Sequence, residues 1–432
     1  MSVGCLLGKC VPVEAIIPDR TTVSREVDKV YVSRKNQLKK IVESVQNFSI
    51  TVDFWTESHT GVSYGGVSLH YYDQNYGLQS LVLACREYNM PNQTSPNIRT
   101  FTDEILQEYG LKLNENVYAV TDNEPKMKAA FRDDVKRIGC SAHYLNKIVE
   151  HSLTKKGIKC DAIQQAADKH PSIHLVIPLR QQLIKLSQPD PYDCDAITKL
   201  KEFFVFELES KWEVSDEHFI AMLLHPNFKE CSNCSQLKDK AYALLKQEFE
   251  RRKSLIPIPA KSLMKPTTPK REKKSLIADC YDTTSTDLQE ETELDLYSKL
   301  CVTLDPDKDD LLDFWAKQRQ NYPILSAIAC DLLIIPATNT TIERLFSTSG
   351  AAVTSKRTRL NTSKVDKLMF LKKNLLLLKK LDCINVGNGL LTATPSDMKR
   401  KRDEMNESSQ EDVDANTNDI NSQLGDNLFD DI

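Results

Sequence analysis

The sequence predicts an α/β fold, a mixed sheet with helices, interrupted by a helical insertion and followed by a helical C-terminal region. Three observations predict it. Residues 48–87 hold three strand-like runs with period-two alternation, the last two joined by turn chemistry. A helix, a short apolar strand and a second helix follow, which asks for a strand returning beside the first. Beyond residue 150 the apolar spacing becomes that of helices.

Residues 1–20 carry no periodic pattern and read as the stub of a missing N-terminal region. Thr21 to Val45 is predicted helical, with Val27, Val30, Leu38, Ile41, Val42 and Val45 spaced along it. Phe48 to Trp55 is a strand in which Ile50, Val52 and Phe54 alternate with Ser49, Thr51 and Asp53. Gly65 to Tyr72 and Leu78 to Glu87 are two more, joined by the hairpin residues Asp73-Gln74-Asn75-Tyr76-Gly77. Asn97 to Tyr109 is an amphipathic helix carrying Ile98, Phe101, Ile105 and Leu106, and Gly110 closes it. Val117 to Val120 is a short strand running into Thr121-Asp122-Asn123, and a helix starts near Pro125. This order is what an RNase H-like core needs, with the first and fourth strands side by side and Asp53 and Asp122 brought to one spot.

Arg137 to Leu153 holds Cys140 and His143 at the mouth of a helix, and residues 154–250 are mostly helical. Arg251 to Lys274 is a linker with four prolines and nine basic residues against one acid, and Asp279 to Asp310 is acid-rich and expected to be partly disordered. The predicted units are 1–47 (stub and helix), 48–150 (first part of the core), 151–250 (helical insertion), 251–310 (linker), 311–380 (end of the core and C-terminal region) and 381–432 (acidic tail). The tail contains Lys399-Arg400-Lys401-Arg402, which reads as a nuclear localisation signal.

Apolar content of 40% and charged content of 27% over 432 residues fit a soluble globular chain. Residues 403–432 carry ten acids and no Lys or Arg, so removing them from the net charge of −4 leaves +6 on the rest. That weakly basic body is compatible with nucleic acid. Met1 to Ala15 has no signal-peptide pattern, and no apolar run approaches the ~20 residues of a membrane helix, so no membrane partner is expected. The twelve cysteines are scattered singly apart from Cys231 and Cys234, and are expected to be reduced, in cytosol or nucleus.

Two carboxylates on adjacent strands, joined by a third, form a set that holds divalent metal for phosphodiester chemistry. Glu343, in the run IIPATNTTIERLFSTSG, is the candidate third. It equally completes a capping box, with Thr340 as cap and Glu343 bonding back to it, worth about 1 kcal/mol. Cys140 and His143 have ligand spacing, but zinc needs about four ligands, so no structural zinc is predicted. Cys231 and Cys234 read as incidental. Lys356, Arg357 and Arg359 suit phosphate contacts or a solvated face. Ser363 to Leu378 is more apolar than one core stripe requires, which suggests a partner subunit, with Trp315, Tyr322, Pro323 and Leu325 in the same interface.

DFWTE at Asp53–Glu57, TDN around Asp122, CSAH at Cys140–His143 and IPATNTTIERLFSTSG…RTRL…LMFLKKN stand in one order. Together they resemble the transposases of the hAT superfamily and the domesticated BED-finger proteins descended from them, over about residues 20–150 and 215–380. The resemblance implies an RNase H-like core interrupted by a helical insertion. It implies an Asp-Asp-Glu (DDE) triad of Asp53, Asp122 and Glu343, catalytic and metal-binding with Mg²⁺ or Mn²⁺, supported by Cys140 and His143. It implies a C-terminal dimerisation region, here Trp315, Leu345, Phe346, Leu368, Met369, Leu371 and Leu375, with Lys356, Arg357 and Arg359 toward DNA. Two features depart from the family. Nothing before Ser49 pairs Cys with His as a BED finger does, since Cys5 and Cys10 have no His nearby. The insertion's Thr-Arg-Trp block, due between His151 and Trp212, is absent, and ESKWEVSD around Trp212 does not match. The resemblance with these departures implies a domesticated, transposase-derived nuclear protein. It would be a homodimer or higher, with weak DNA binding and no autonomous transposition. The alternative is an active Mg²⁺-dependent transposase.

Overall fold

Five strands form one sheet: β1 (Ser49–Thr56), β2 (Ser63–Asp73), β3 (Gly77–Glu87), β4 (Tyr118–Thr121) and β5 (Lys136–Gly139). Their order is β3-β2-β1-β4-β5. The pairs β1–β2 and β2–β3 are antiparallel, whereas β1–β4 and β4–β5 are parallel. The first and fourth strands therefore lie side by side, as the element order predicts. The fifth strand was not predicted. It is four residues long, its one fully buried apolar residue is Ile138, and its Lys136 and Arg137 read as a polar lead-in to the next helix.

The computed structural model describes residues 19–58, 60–74, 77–153, 170–232, 234–255, 292–305, 310–352 and 361–392. Its helices before residue 200 are α1 (Arg20–Glu43), α2 (Ser95–Gln107), α3 (Pro125–Ala130), α4 (Ser141–Leu153), α5 (Val176–Leu186) and α6 (Asp195–Lys211). They are followed by α7 (Asp216–Leu223), α8 (Lys238–Leu255), α9 (Glu293–Lys299) and α10 (Leu311–Lys317). The chain then forms α11 (Pro323–Leu333), α12 (Thr340–Ala352) and α13 (Thr362–Thr392). Among the described residues no helix is long and apolar enough to cross a membrane.

Strand alternation decides which helices cover which face. Ile50, Val52, Leu69, Leu81 and Ala119 point to a core shared with α1, α2, α3 and the buried Phe370 of α13. On the other face, Tyr118, Val120 and Ile138 pack with α7, α8, α10 and α11. Tyr64, Val82 and Cys85 meet Ile342, Leu345 and Phe346 of α12. The register ties these faces to the sequence, because a one-residue slip would turn every apolar strand residue to the wrong side.

Two expectations change. The end of the 251–310 linker is ordered, with Leu294 and Tyr297 of α9 buried. The Glu293 carboxylate accepts the Ile324 and Leu325 amides, at 3.0 and 3.1 Å, at the start of α11. Acid-rich composition suggested a solvated segment, but this acid caps a helix distant in sequence. The residues expected at a dimer surface are largely used within the chain. Trp315 is fully buried, donating to the Leu224 carbonyl at 2.8 Å and sitting 5.2 Å from the Tyr297 ring. Leu345, Phe346, Met369 and Leu371 are buried, and Leu368 and Leu375 are half-buried.

The physical reason lies at the sheet edge. Among the described residues β3 has no strand on its outer side, and α13 runs along it. The Asn374 side chain, fully buried, accepts from the Val82 amide at 3.0 Å and donates to the Val82 carbonyl at 2.7 Å. Asp366 accepts the Cys85 amide at 2.9 Å. The register shift beside Val67 leaves Leu83 unpaired with β2, and its carbonyl takes the Tyr109 hydroxyl at 2.7 Å. Side chains thus close an edge that would otherwise present open backbone groups. A helix that touches both faces and the edge needs more than one apolar stripe.

Asn374→Leu removes both bonds to Val82 at similar volume. It is expected to destabilise the chain by about 2 kcal/mol in urea denaturation, from two orphaned buried backbone groups. Leu376→Ser, at an exposed position on the same helix, is expected to shift the midpoint little.

Candidate carboxylate site at the strand ends

The pairing of β1 with β4 sets Ser49 opposite Tyr118, Thr51 opposite Val120 and Val52 opposite Thr121. One further step reaches Asp53 and Asp122, so the two acids leave the sheet together on one face. The other neighbour of Asp53 is Gly66. A Cβ on Gly66 would stand 2.5 Å from Ile342 Cγ2 and 3.1 Å from Phe346 Cζ. The missing side chain lets α12 cross the sheet there, and Glu343 follows Ile342 on that helix. Trp55 fixes the crossing from the side, stacked on Phe346 at 5.9 Å and on Tyr64 at 5.7 Å.

The start of α12 is held by buried polar groups. Thr338, Asn339, Thr340 and Thr341 are each almost wholly buried. The Asn339 carbonyl accepts the Ile342 and Glu343 amides at 3.0 and 3.2 Å, which makes Asn339 the cap residue. Its side chain is used elsewhere: the Cys140 thiol donates to Asn339 Oδ1 at 2.9 Å, and the Asn339 amide donates back to the sulfur at 3.5 Å. Beside this pair, the Ser141 amide donates to the Ala337 carbonyl at 2.9 Å. Thr340 is the first residue of the helix and its amide reaches the Thr338 hydroxyl at 3.4 Å, so Asn339 rather than Thr340 stands at the cap position. Burial lifts the Cys140 thiol to about 12, leaving it protonated and suited to donate this bond rather than to bind metal.

Asp122 is held from behind. The Arg137 guanidinium donates to the Asp122 carbonyl, to Thr121 Oγ1 at 2.8 Å and to Asn123 Oδ1 at 2.9 Å. Asn123 can lie there because Gly139 has no side chain; a Cβ would come within 2.3 Å of Asn123 Oδ1. Gly66, Arg137, Asn339 and Gly139 are absent from the sequence-level site. The Gly65-Gly66 pair inside a strand was the available signal, since such glycines mark close approach of another element.

Burial raises the Asp53 carboxyl well above its ordinary value, and the charges of Glu343 and Asp122 raise it further. Its hydrogen bond is from the Phe54 amide at 2.9 Å, and among the described residues no Lys or Arg ion-pairs with it. Burial also raises Asp122, followed by the charge of Glu124, while the Glu124 amide and His143 oppose the rise. Burial holds His143 below its ordinary value, so it is neutral at pH 7, and the Asp122 charge acts against that. As the side chains stand, no three His, Cys, Asp or Glu among the described residues are close enough to hold one metal ion. The charge pattern still fits one. Asp53 feels the negative charges of both Glu343 and Asp122 with no Lys or Arg among the described residues paired to it, and hard oxygen donors are the set that Mg²⁺ or Mn²⁺ takes.

The remaining expected residues lie elsewhere. Lys356, Arg357 and Arg359, and the basic tetrad at 399–402, fall outside the described residues. Cys231 and Cys234 are buried in the helical core, with Cys234 Sγ 3.8 Å from Met222 Sδ. Trp212 is buried between α4, α5 and α6, packed with Leu208 and Ala337.

Residues 293–375 match the family model described as the hAT family C-terminal dimerisation region. The chain is 28% identical over 159 residues to the Transposable element Hobo transposase of Drosophila melanogaster, covering 36% of this chain and 24% of that protein. It is 24% identical to Zinc finger protein 618 of mouse over 237 residues and of human over 229, covering 51% of this chain and 22% of each relative. The matched part thus spans about a quarter of the length of these relatives.

Two outcomes test the geometry. Gly66→Ala forces its methyl onto Ile342 and is expected to cost about 1–3 kcal/mol, read by denaturant unfolding. The raised pKa of Asp53 means the native state holds its proton more tightly than the unfolded chain. Its contribution to stability therefore falls as pH rises through the window between the unfolded and native values. Asp53→Asn is accordingly expected to raise the unfolding temperature at pH 7.5 in EDTA, with the gain disappearing below about pH 4. No gain at pH 7.5 would count against an uncompensated carboxylate.

Proposed function

The chain is hAT-transposase-like, and from that premise we propose that it is a self-associating nuclear protein of transposase descent. It keeps a divalent-cation site at Asp53, Asp122 and Glu343 and does not carry out autonomous transposition. The observation that carries the cation site is Asp53, raised by burial and then by the charges of Glu343 and Asp122, and forming no ion pair with Lys or Arg among the described residues. The strand order, three antiparallel strands followed by two parallel ones with the acids on adjacent strands, supports an RNase H-like core. Asp53, Asp122 and Glu343 would hold such an ion, and its Lewis acidity would be what activates a water or 3′-hydroxyl toward a phosphodiester. The chain's own part is to orient the acids: Arg137 holds the Asp122 backbone and Asn339 sets the start of the Glu343 helix.

The loss of transposition rests on the tryptophan. The block expected in the helical insertion is missing, and Trp212 is enclosed by core residues where it is not available to stack on a base. Self-association follows from the dimerisation-region match over residues 293–375. The names of the relatives, a transposase and a zinc finger protein, support a DNA-acting, nuclear role, with Lys356, Arg357 and Arg359 as phosphate contacts.

Unfolding temperature followed against Mg²⁺ or Mn²⁺, with plasmid nicking in parallel, tests this on the full chain. The wild type is expected to gain stability with the ion, about 2.7 kcal/mol at a hundredfold excess over the dissociation constant. Asp53→Asn is expected to gain none, and neither protein is expected to join DNA strands. Absence of an ion effect on the wild type removes the cation site. Asp53-dependent nicking and joining replaces this reading with an active transposase. Sedimentation equilibrium is expected to show a mass at least twice that of the chain, and a monomer at all concentrations would exclude self-association.

A further inference from the structure

Four residues along β4 from Asp122, roughly 13 Å at ~3.3 Å per residue, a cleft of about 430 Å³ opens at the start of the parallel strands. We propose that this cleft binds a phosphate-bearing nucleotide unit. Its volume lies within the range of small-ligand pockets. None of its residues takes part in the carboxylate site.

The lining carries three cations, Lys136, Arg251 and Arg252, against one carboxylate, Asp331. Two of the cations are held in place. Arg252 bonds Asp331 at 2.7 Å and Glu248 at 2.7 Å, and Arg251 bonds Glu248 at 2.7 Å. Both sit near the C-terminal end of α8, where the helix dipole favours positive charge. Lys136 differs. It is exposed, its ammonium donates to the Tyr118 hydroxyl at 3.3 Å and lies 5.1 Å from that ring's centroid, and although it feels the Asp331 charge it forms no close ion pair among the described residues. A cation that forms no close ion pair, beside two positioned guanidinium groups, suits a phosphate.

The rest of the lining selects what carries the phosphate. Four side-chain amides border the cleft: Gln46 and Asn47 before β1, and Asn114 and Asn116 before β4. Amides donate and accept at once, which matches base edges and sugar hydroxyls and gives no advantage to a bare inorganic anion. Asn47 is set by its bond to Asp331 at 2.7 Å, so Asp331 orders an amide as well as an arginine. That shared role explains a carboxylate in an otherwise cationic cleft.

The nucleotide unit is either free or part of a strand, and two probes separate these sources. Fluorescence anisotropy of the full chain is measured in EDTA with a fluorescent analogue of AMP and with a labelled single-stranded oligonucleotide. At least one probe is expected to bind, more weakly as salt rises. Lys136→Glu is expected to weaken binding at least about tenfold, and Asp53→Asn to leave it unchanged. Displacement of the analogue by AMP assigns a free nucleotide; binding of the oligonucleotide alone assigns a strand. Should Lys136→Glu lower the unfolding temperature, Lys136→Gln is read instead, with a smaller loss expected. Binding by neither probe, or variants at Lys136 that bind as the wild type does, overturns the proposal. EDTA and the Asp53→Asn control keep this result separate from the cation site.

Discussion

The reciprocal bond between Cys140 and Asn339 is the contact on which the arrangement depends. Cys140 ends the β5 edge of the sheet and opens α4, and Asn339 begins α12 nearly 200 positions later. Around it, the segment from Pro336 to Thr341 runs through the interior with its polar groups enclosed. Buried backbone and hydroxyl groups must find partners, so each one satisfied here also fixes a direction. Ser49 bonds the Ile334 carbonyl, Ser172 bonds the Ala337 amide and Ser80 meets Thr341. A helix leaving such a knot has little freedom, and the orientation of Glu343 follows from it.

The same economy places the acids. Gly66 lies opposite Asp53, and its missing side chain admits the helix that carries Glu343. The result sets the charges of Glu343 and Asp122 against a buried Asp53, whose carboxyl is raised by burial and then by those charges. Clusters of this kind recur where a cation is bound or chemistry is done, since they lower stability without one.

The C-terminal region serves the chain's own core as much as any partner. Asn374 and Asp366 complete the backbone of an edge strand, and Glu293 caps α11. Residues 293–375, matched to a dimerisation region, therefore contribute buried side chains to both faces of the sheet. Self-association has to use what remains outside, of which the exposed Leu376 on α13 is one point.

The sequence by itself determined the local elements and the pair Asp53 and Asp122. Period-two alternation, turn residues and helix punctuation are short-range, so Ser49 to Glu87 and the helix from Ser95 are legible in the chain. Adjacent strands also made the two aspartates a pair before any coordinates. Contacts between distant segments were decided by the tertiary structure alone. β5 is a strand because β4 lends it a partner, and Glu293 is a cap because α11 starts beside it. Glu343 showed this most clearly. Its sequence neighbours suited a capping box with Thr340 as cap, but the helix begins at Thr340, one residue earlier than that pattern needs, and Asn339, bonded to Cys140, takes the cap position. Side chains on α13 that looked like a partner's surface are buried because one helix covers an edge and two faces at once, a geometry that no local pattern encodes.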